Sequence, residues 1–331
     1  MKTEKYTNIL MQIQNTYYKT MKKARSLKFV TYVALSAICL LSSVFMIYLI
    51  SSTKILSNVN QLSTYSFKKT ARNKDFFIGV FSECNSTERR DIIRTWVSYF
   101  EDEDLMDVRF ILDHDEKCMK QLHQENTKRR DLVFVRTKKQ GYYNLIHKTQ
   151  ATLFYAAELK ENYKYVIKTD DDAIVRWDML KDFLLARHKD LSQNVYFGFM
   201  KYNQVIHTKG KYDNTPYFQD VHTNTYPPFA NGPMYGISMS AAKVLNEYNK
   251  IYPLPMWEME DTTVGHWMTM LRPLRLHIDK YAEYGLKCWS DRIIFHPFKN
   301  ATNMIRFMDT YNGADMEEPC KYFVRGLVPR Q

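Results

Sequence analysis

A chain of 331 residues with 45% hydrophobic and 15% aromatic content is long and apolar enough for one large domain or two ordinary ones. Its formal charge of +11 is uneven: residues 1–28 hold seven Lys/Arg against Glu4 alone, so the remainder is only mildly basic. That distribution argues against a nucleic-acid binder, since "TKRR" (127–130) stands without any binding-module signature, and no internal repeat points to a solenoid.

Residues 29–50, "FVTYVALSAICLLSSVFMIYLI", carry no charge. At about 1.5 Å per residue a helix of this length crosses a hydrocarbon core of roughly 30 Å. The run is too long for the apolar core of a cleaved signal peptide, and a membrane span is expected. Lys19, Lys22, Lys23, Arg25 and Lys28 precede it and Lys54 alone follows closely, so the amino-terminal side is expected in the cytosol and the bulk of the chain in the secretory lumen. The sequons at Asn85 and Asn300 lie in that bulk as candidate glycosylation sites. The expected organisation is a cytoplasmic tail over 1–28, a signal anchor over 29–50, a Ser/Thr/Asn/Lys-rich stem over 51–74 and a globular domain over 75–331. Cys84, Cys118, Cys288 and Cys320 then lie where disulfides form, with three pairings open, and no cysteine spacing suits a thiolate zinc site.

In the globular part, apolar runs alternate with helical patterns. "FFIGVFS" (76–82) predicts a strand, "RRDIIRTWVSYF" (89–100) lies in a helix, and "DVRFILD" (107–113) and "DLVFVR" (131–136) predict two further strands. Leu145, Ile146, Thr149, Leu153, Phe154 and Ala157 form one stripe of a helix over 144–160, and "KYVIK" (164–168) is a short strand. This order predicts an α/β fold, with ligands bound where loops leave the carboxyl ends of the strands.

"KTDDDAIVRW" (168–177) stands at such an end. Three adjacent carboxylates repel one another unless a cation lies among them. Hard oxygen ligands favour magnesium, manganese or calcium, and the alternate positions Asp170 and Asp172 can aim at one ion. A solvated acidic turn is the other reading of the triplet alone.

The segment "YKYVIKTDDDAIVRWDML" resembles the Tyr-Val-x-Lys-x-Asp-Asp-Asp segment of the β-1,3-galactosyltransferase and β-1,3-N-acetylglucosaminyltransferase family, glycosyltransferase family 31. Four further stretches resemble that family's motifs in the same order: "ERRDIIRTW" (88–96), "YYNLIHKT" (142–149), "YPPFANGPMYGIS" (226–238) and "EDTTVG" (260–265). The resemblance implies a nucleotide-sugar-binding sheet of the GT-A kind behind a single Golgi membrane anchor. It also implies a manganese- or magnesium-dependent, inverting transfer of galactose or N-acetylglucosamine from a UDP-sugar to a glycan acceptor on protein or lipid. By the family pattern Asp170, Asp172 and His296 would hold the metal, and Asp261 would be the base, with Glu260 beside it as the fallback. Arg90, Arg94, Lys168, Asp171, Asn231 and Gly232 would serve the donor: the arginines on uracil or diphosphate oxygens, and Asn231-Gly232 as a loop that lets backbone approach the sugar. Trp96 is expected in the core. The Arg motif is one residue shorter than the family's, and "ANGPM" replaces Cys-Ser-Gly-Gly-Gly. A catalytically silent relative that partners another transferase is the alternative, although it need not keep Asp170, Asp172, Asp261 and His296.

Overall fold

The computed structural model describes residues 74–100, 105–135, 144–160, 162–282, 288, 290–311 and 317–324. The expected tail, span and nearly all of the stem lie outside the described residues. Among the described residues no helix is long and apolar enough to cross a membrane.

The chain enters the fold at strand β1 (Lys74–Phe81), where every residue after Lys74 is buried. A strand covered on both faces is what an uninterrupted apolar run produces in a parallel sheet. It is followed by helix α1 (Thr87–Val97), β2 (Met106–Asp113), α2 (Met119–Arg129), β3 (Leu132–Val135), α3 (Leu145–Glu158) and β4 (Tyr163–Asp170). Five of these six elements follow from apolar periodicity. Helix α2 does not, because Met119 and Leu122 are its only buried apolar residues.

Next come β5 (Ile174–Val175), α4 (Trp177–Arg187), β6 (Val195–Lys201), α5 (Thr215–Val221), β7 (Phe229–Ser238), α6 (Met239–Ile251) and α7 (Glu260–Thr269). The order closes with β8 (Leu274–His277), β9 (Tyr281–Ala282), β10 (Ile294–Phe295), α8 (Ala301–Thr310) and α9 (Glu317–Val324). Seven strands form one sheet in the order β3-β2-β1-β4-β7-β6-β8. β1, β2, β3 and β4 run parallel, and β7 runs antiparallel between β4 and β6. A second sheet, β5-β10-β9, lies beside the carboxyl end of β4 and carries the segment with His296.

Close approach of α3 to the sheet sets one residue choice. A Cβ at Gly79 in β1 would meet Thr152 Cγ2 of α3 at 2.4 Å, so only glycine fits there. Trp96 is buried in the core and its Nε1 donates to the Val175 carbonyl at 2.7 Å, tying α1 to β5.

Of the three cysteine pairings left open, the fold selects Cys84–Cys118 and Cys288–Cys320. With sequence separations of 34 and 32, each crosslink restricts the unfolded chain by roughly 3.5–4 kcal/mol on the chain-entropy model. The first joins the loop after β1 to the start of α2, next to the sheet edge that bears the acidic triplet.

Candidate active site

Four elements converge at the carboxyl edge of the sheet. β4 ends on Asp170, so Asp171 and Asp172 follow in the turn before β5. His296 follows β10, and β10 is held against β5 by pairing of Ile294 with Val175 and Phe295 with Ile174. One donor atom each from Asp170, Asp172 and His296 lies within 4.8 Å of the other two, and His296 Nε2 is 3.5 Å from Asp172 Oδ1.

An octahedral ion with bonds of about 2.1 Å spaces its ligand atoms roughly 3–4 Å apart. Small side-chain adjustments therefore bring these three residues onto one ion. Burial pushes the His296 imidazole down to about 4, against the Asp170 charge, so it is neutral and able to ligate at physiological pH. Burial, then the Asp170 charge, push Asp172 up to about 7, with Arg89 opposing. The donor set of two carboxylates and one imidazole suits manganese or magnesium.

Lys168 of β4, expected at the donor site, is 2% exposed. Its ammonium donates to the Gly232 carbonyl of β7 and pairs with Asp170 at 2.7 Å. Burial disfavours that charge, but Asp170, Glu260 and Asp261 outweigh it and hold the amine above its ordinary value. Lys168 thus couples the acidic triplet to β7 and α7.

α7 begins at Glu260, and its first turn carries Glu260 and Asp261. The two adjacent carboxylates have different surroundings. Glu260 is buried, and its Oε1 accepts from Thr149 of α3 and from Tyr235 of β7. That engagement makes it part of the interior and removes it as a fallback base. Asp261 is only half-buried, accepts from the Thr262 amide at 2.8 Å, and lies beside Gly232, where an added Cβ would stand 3.9 Å from Asp261 Oδ2. Burial, then the neighbouring Glu260 charge, raise Asp261 to about 7. A carboxylate poised near neutral pH and open to a ligand has the properties of a general base.

Arg90 and Arg94 are not brought to this site. Arg90 is wholly buried, and its guanidinium is spent on Glu125, Ser82, Thr87 and the carbonyls of Glu83 and Cys84. Arg94 bonds Asp131, Asp91 and Glu125, beneath which it covers the Phe110 ring. Every guanidinium nitrogen of both already donates to a protein acceptor, and together they hold Glu125 ionised against its burial. The arginine at the triplet is Arg89, whose Nη1 pairs with Asp171 at 3.0 Å. Asp171 also accepts from Ser82 Oγ at 2.8 Å, so its oxygens turn to α1 and β1 instead of to the ligand group. Asn231 and Gly232 lie in strand β7, not in a loop, with Gly232's backbone used to anchor Lys168.

Two residues of the "YYNLIHKT" stretch also reach the sheet edge: Asn144 and Lys148 both bond Asp113 at the end of β2, Lys148 at 3.0 Å. Asn85 and Asn300 are exposed, and Asn300 also caps α8 through the Asn303 amide at 2.9 Å. A cavity of about 790 Å³ lies at the opposite end of β1, lined by Phe76, Trp96, Phe100, Trp177 and Tyr311 among others. From Phe76 to Phe81 is roughly 17 Å along the strand. Its charges are largely spent, Asp178 on Arg176 at 2.6 Å and Asp75 on Lys164 at 2.6 Å, so the reactive groups lie elsewhere.

Fold and site together define a class: a mixed α/β protein with a group of residues that could hold a hard cation, and a carboxylate raised toward neutral pH, at the carboxyl edge of its sheet. The galactosyltransferase family pattern matches residues 87–278, and the chain belongs to that family. It is 26% identical over 245 residues to the hydroxyproline O-galactosyltransferase GALT6 of Arabidopsis thaliana, covering 71% of this chain and 34% of the relative. It is 30% identical over 214 residues to the β-1,3-galactosyltransferase GALT1 of the same plant, covering 60% and 31%. With β-1,3-galactosyltransferase 6 of Mus musculus it shares 26% identity over 177 residues, 53% of each chain. The chain thus spans about a third of the length of the plant relatives and half of the mouse one. Among solved structures, a galactosyltransferase in complex with donor and acceptor sugar analogues superposes with a TM-score of 0.36 at 12% identity, over 63% of this chain and 76% of that one. At that level the superposition decides nothing further.

Proposed function

We propose that the chain is a metal-dependent, inverting hexosyltransferase that moves galactose from UDP-galactose to a sugar hydroxyl in β-1,3 linkage. UDP-N-acetylglucosamine is the alternative donor. We place it in the Golgi membrane as a single-span, type II protein with residues 75–331 in the lumen. The charge-free run at 29–50 with its basic leading flank supports that placement, as do two disulfides and two exposed sequons.

The observation that carries the reading is the juxtaposition of Asp261 with the Asp170, Asp172 and His296 group across Lys168 and Gly232. Manganese or magnesium, held by Asp170, Asp172 and His296, would offset the negative charge of the departing diphosphate. Asp261 takes the proton of the acceptor hydroxyl. The acceptor oxygen bonds C1 of the sugar as the bond from C1 to the diphosphate oxygen breaks, and the configuration at C1 inverts. Lys168, locked between Asp170 and the Gly232 carbonyl, holds the metal-side carboxylate and the β7 backbone beside the base at a fixed spacing.

UDP release by the full-length chain in detergent tests this, with UDP-galactose or UDP-N-acetylglucosamine, manganese or EDTA, and an acceptor panel of simple galactosides and a hydroxyproline peptide. The expected result is manganese-dependent release with one donor, lost in Asp172→Ala and Asp261→Asn. Manganese-dependent donor binding without turnover on any acceptor supports the silent-partner reading instead. Binding of neither donor refutes the metal-diphosphate site.

A further inference from the structure

The middle carboxylate of the triplet and the arginine that meets it have no part in the chemistry above. Asp171 Oδ1 accepts from Arg89 Nη1 at 3.0 Å, and its Oδ2 from Ser82 Oγ at 2.8 Å. The Asp171 amide donates to the Phe81 carbonyl at 3.1 Å, so the turn itself is pinned to the end of β1. Ser82 is held in turn by Arg90, at 3.0 Å. The anchor beneath Asp171 is therefore stiff.

Arg89's second arm reaches across to a different part of the chain. Its Nη2 lies 3.4 Å from the Phe298 carbonyl and 3.5 Å from the Lys299 carbonyl, just beyond His296. On the other side of His296, pairing of β10 with β5 fixes the backbone at Ile294 and Phe295. The Phe298 amide also donates to the Asp172 carbonyl at 2.8 Å. His296 itself is held by its amide, which donates to the Ala282 carbonyl at 3.0 Å, and by Nδ1, which lies 3.3 Å from the Tyr281 hydroxyl, while Arg89 supplies a charged side-chain link to the backbone just beyond it at 298–299.

We propose that Arg89 is a positioning residue: anchored on Asp171, its guanidinium is a strut that holds the loop after His296 at ligand distance from Asp170 and Asp172. This rests on reading those three residues as a metal set. A planar fork with separated nitrogens can serve two partners at once, whereas a lysine ammonium is a single point on a flexible stem. The proposal also accounts for the middle carboxylate of the triplet, since Asp171 is the strut's footing.

Manganese titration of the full-length chain in detergent, without any sugar nucleotide, tests the strut. Free ion is read from the paramagnetic resonance signal of aqueous manganese, and unfolding is followed by circular dichroism. The wild type is expected to bind one ion. Arg89→Lys, Arg89→Gln and Asp171→Asn are each expected to weaken binding at least tenfold with melting temperatures within a few degrees of wild type. The double variant Arg89→Lys/Asp171→Asn should bind no more weakly than the weaker single one, because both cut the same link. Binding by Arg89→Lys within twofold of wild type overturns the strut, whether or not Arg89→Gln binds weakly, because charge alone then suffices. Arg89→Lys decides the matter if Arg89→Gln does not fold. A wild type that binds no manganese overturns the metal reading and the strut with it, which separates the two failures.

Discussion

Replacing Asp261 by asparagine should abolish turnover and yet make the fold more stable as pH rises. Asp261 is raised from 3.8 to about 7, with burial the first cause and Glu260 the second. Because its folded value lies above its unfolded one, the folded state holds the proton between those values while the unfolded chain has released it. Stability contributed by the protonated form is therefore lost progressively from pH 3.8 to about 7, and above 7 the full cost of a buried charge remains. Asparagine does not titrate, so its advantage over aspartate grows with pH. Between pH 5 and pH 8 the growth spans about two units, or about 2.7 kcal/mol at 1.36 kcal/mol per unit, and partial exposure of the carboxylate reduces this to about 1–2 kcal/mol. For a domain of this size that is a melting-temperature gain of about 2–8 °C more at pH 8 than at pH 5. Thermal unfolding of wild type and Asp261→Asn at both pH values, with EDTA present, measures it. An equal gain at the two pH values, or a larger one at pH 5, refutes the argument that this carboxylate is held protonated by its surroundings.

Three further predictions concern activity and the role of the arginines. kcat/KM should fall about tenfold per pH unit below about 7, because the base must be ionised to accept a proton, and a profile flat from pH 8 to pH 5.5 would rule out Asp261 as that base. Gly232→Ala places a methyl 3.9 Å from Asp261 Oδ2 without striking anything else, so the melting temperature should stay within a few degrees while kcat/KM drops at least tenfold. Arg90→Ala leaves Glu125 buried without its main partner, and should cost about 3–5 kcal/mol in urea denaturation while the surviving folded fraction keeps the wild-type KM for the donor. A raised donor KM with unchanged stability would restore Arg90 to the binding site.

The parts of this protein written in its local sequence are those that depend on neighbours along the chain. Apolar runs long enough to be covered on both faces marked β1, β2, β3 and β4, and a single stripe marked α3. The acidic triplet could be placed at a strand's carboxyl end because the strand before it was plain. The galactosyltransferase motifs followed in order along the same stretch. Helix α2 and the short strands β5, β9 and β10 were not legible, since two buried residues, or strands of two residues, leave no periodic signal.

Only the tertiary structure decided which of several chemically equivalent residues does what. Glu260 and Asp261 are adjacent carboxylates on one helix turn, and they part because Thr149 and Tyr235, 111 and 25 residues away, enclose the first alone. Arg89, Arg90 and Arg94 are three alike cations, sorted by Asp171, Glu125 and Asp131 at separations of 82, 35 and 37 residues. The disulfide pairing was settled in the same way, by which thiols the packed chain brings together. A side chain's type and its place in a pattern belong to the sequence. Its charge state and partners are set by desolvation and by atoms within a few ångströms, and those neighbours come from distant segments that meet only when the sheet has formed.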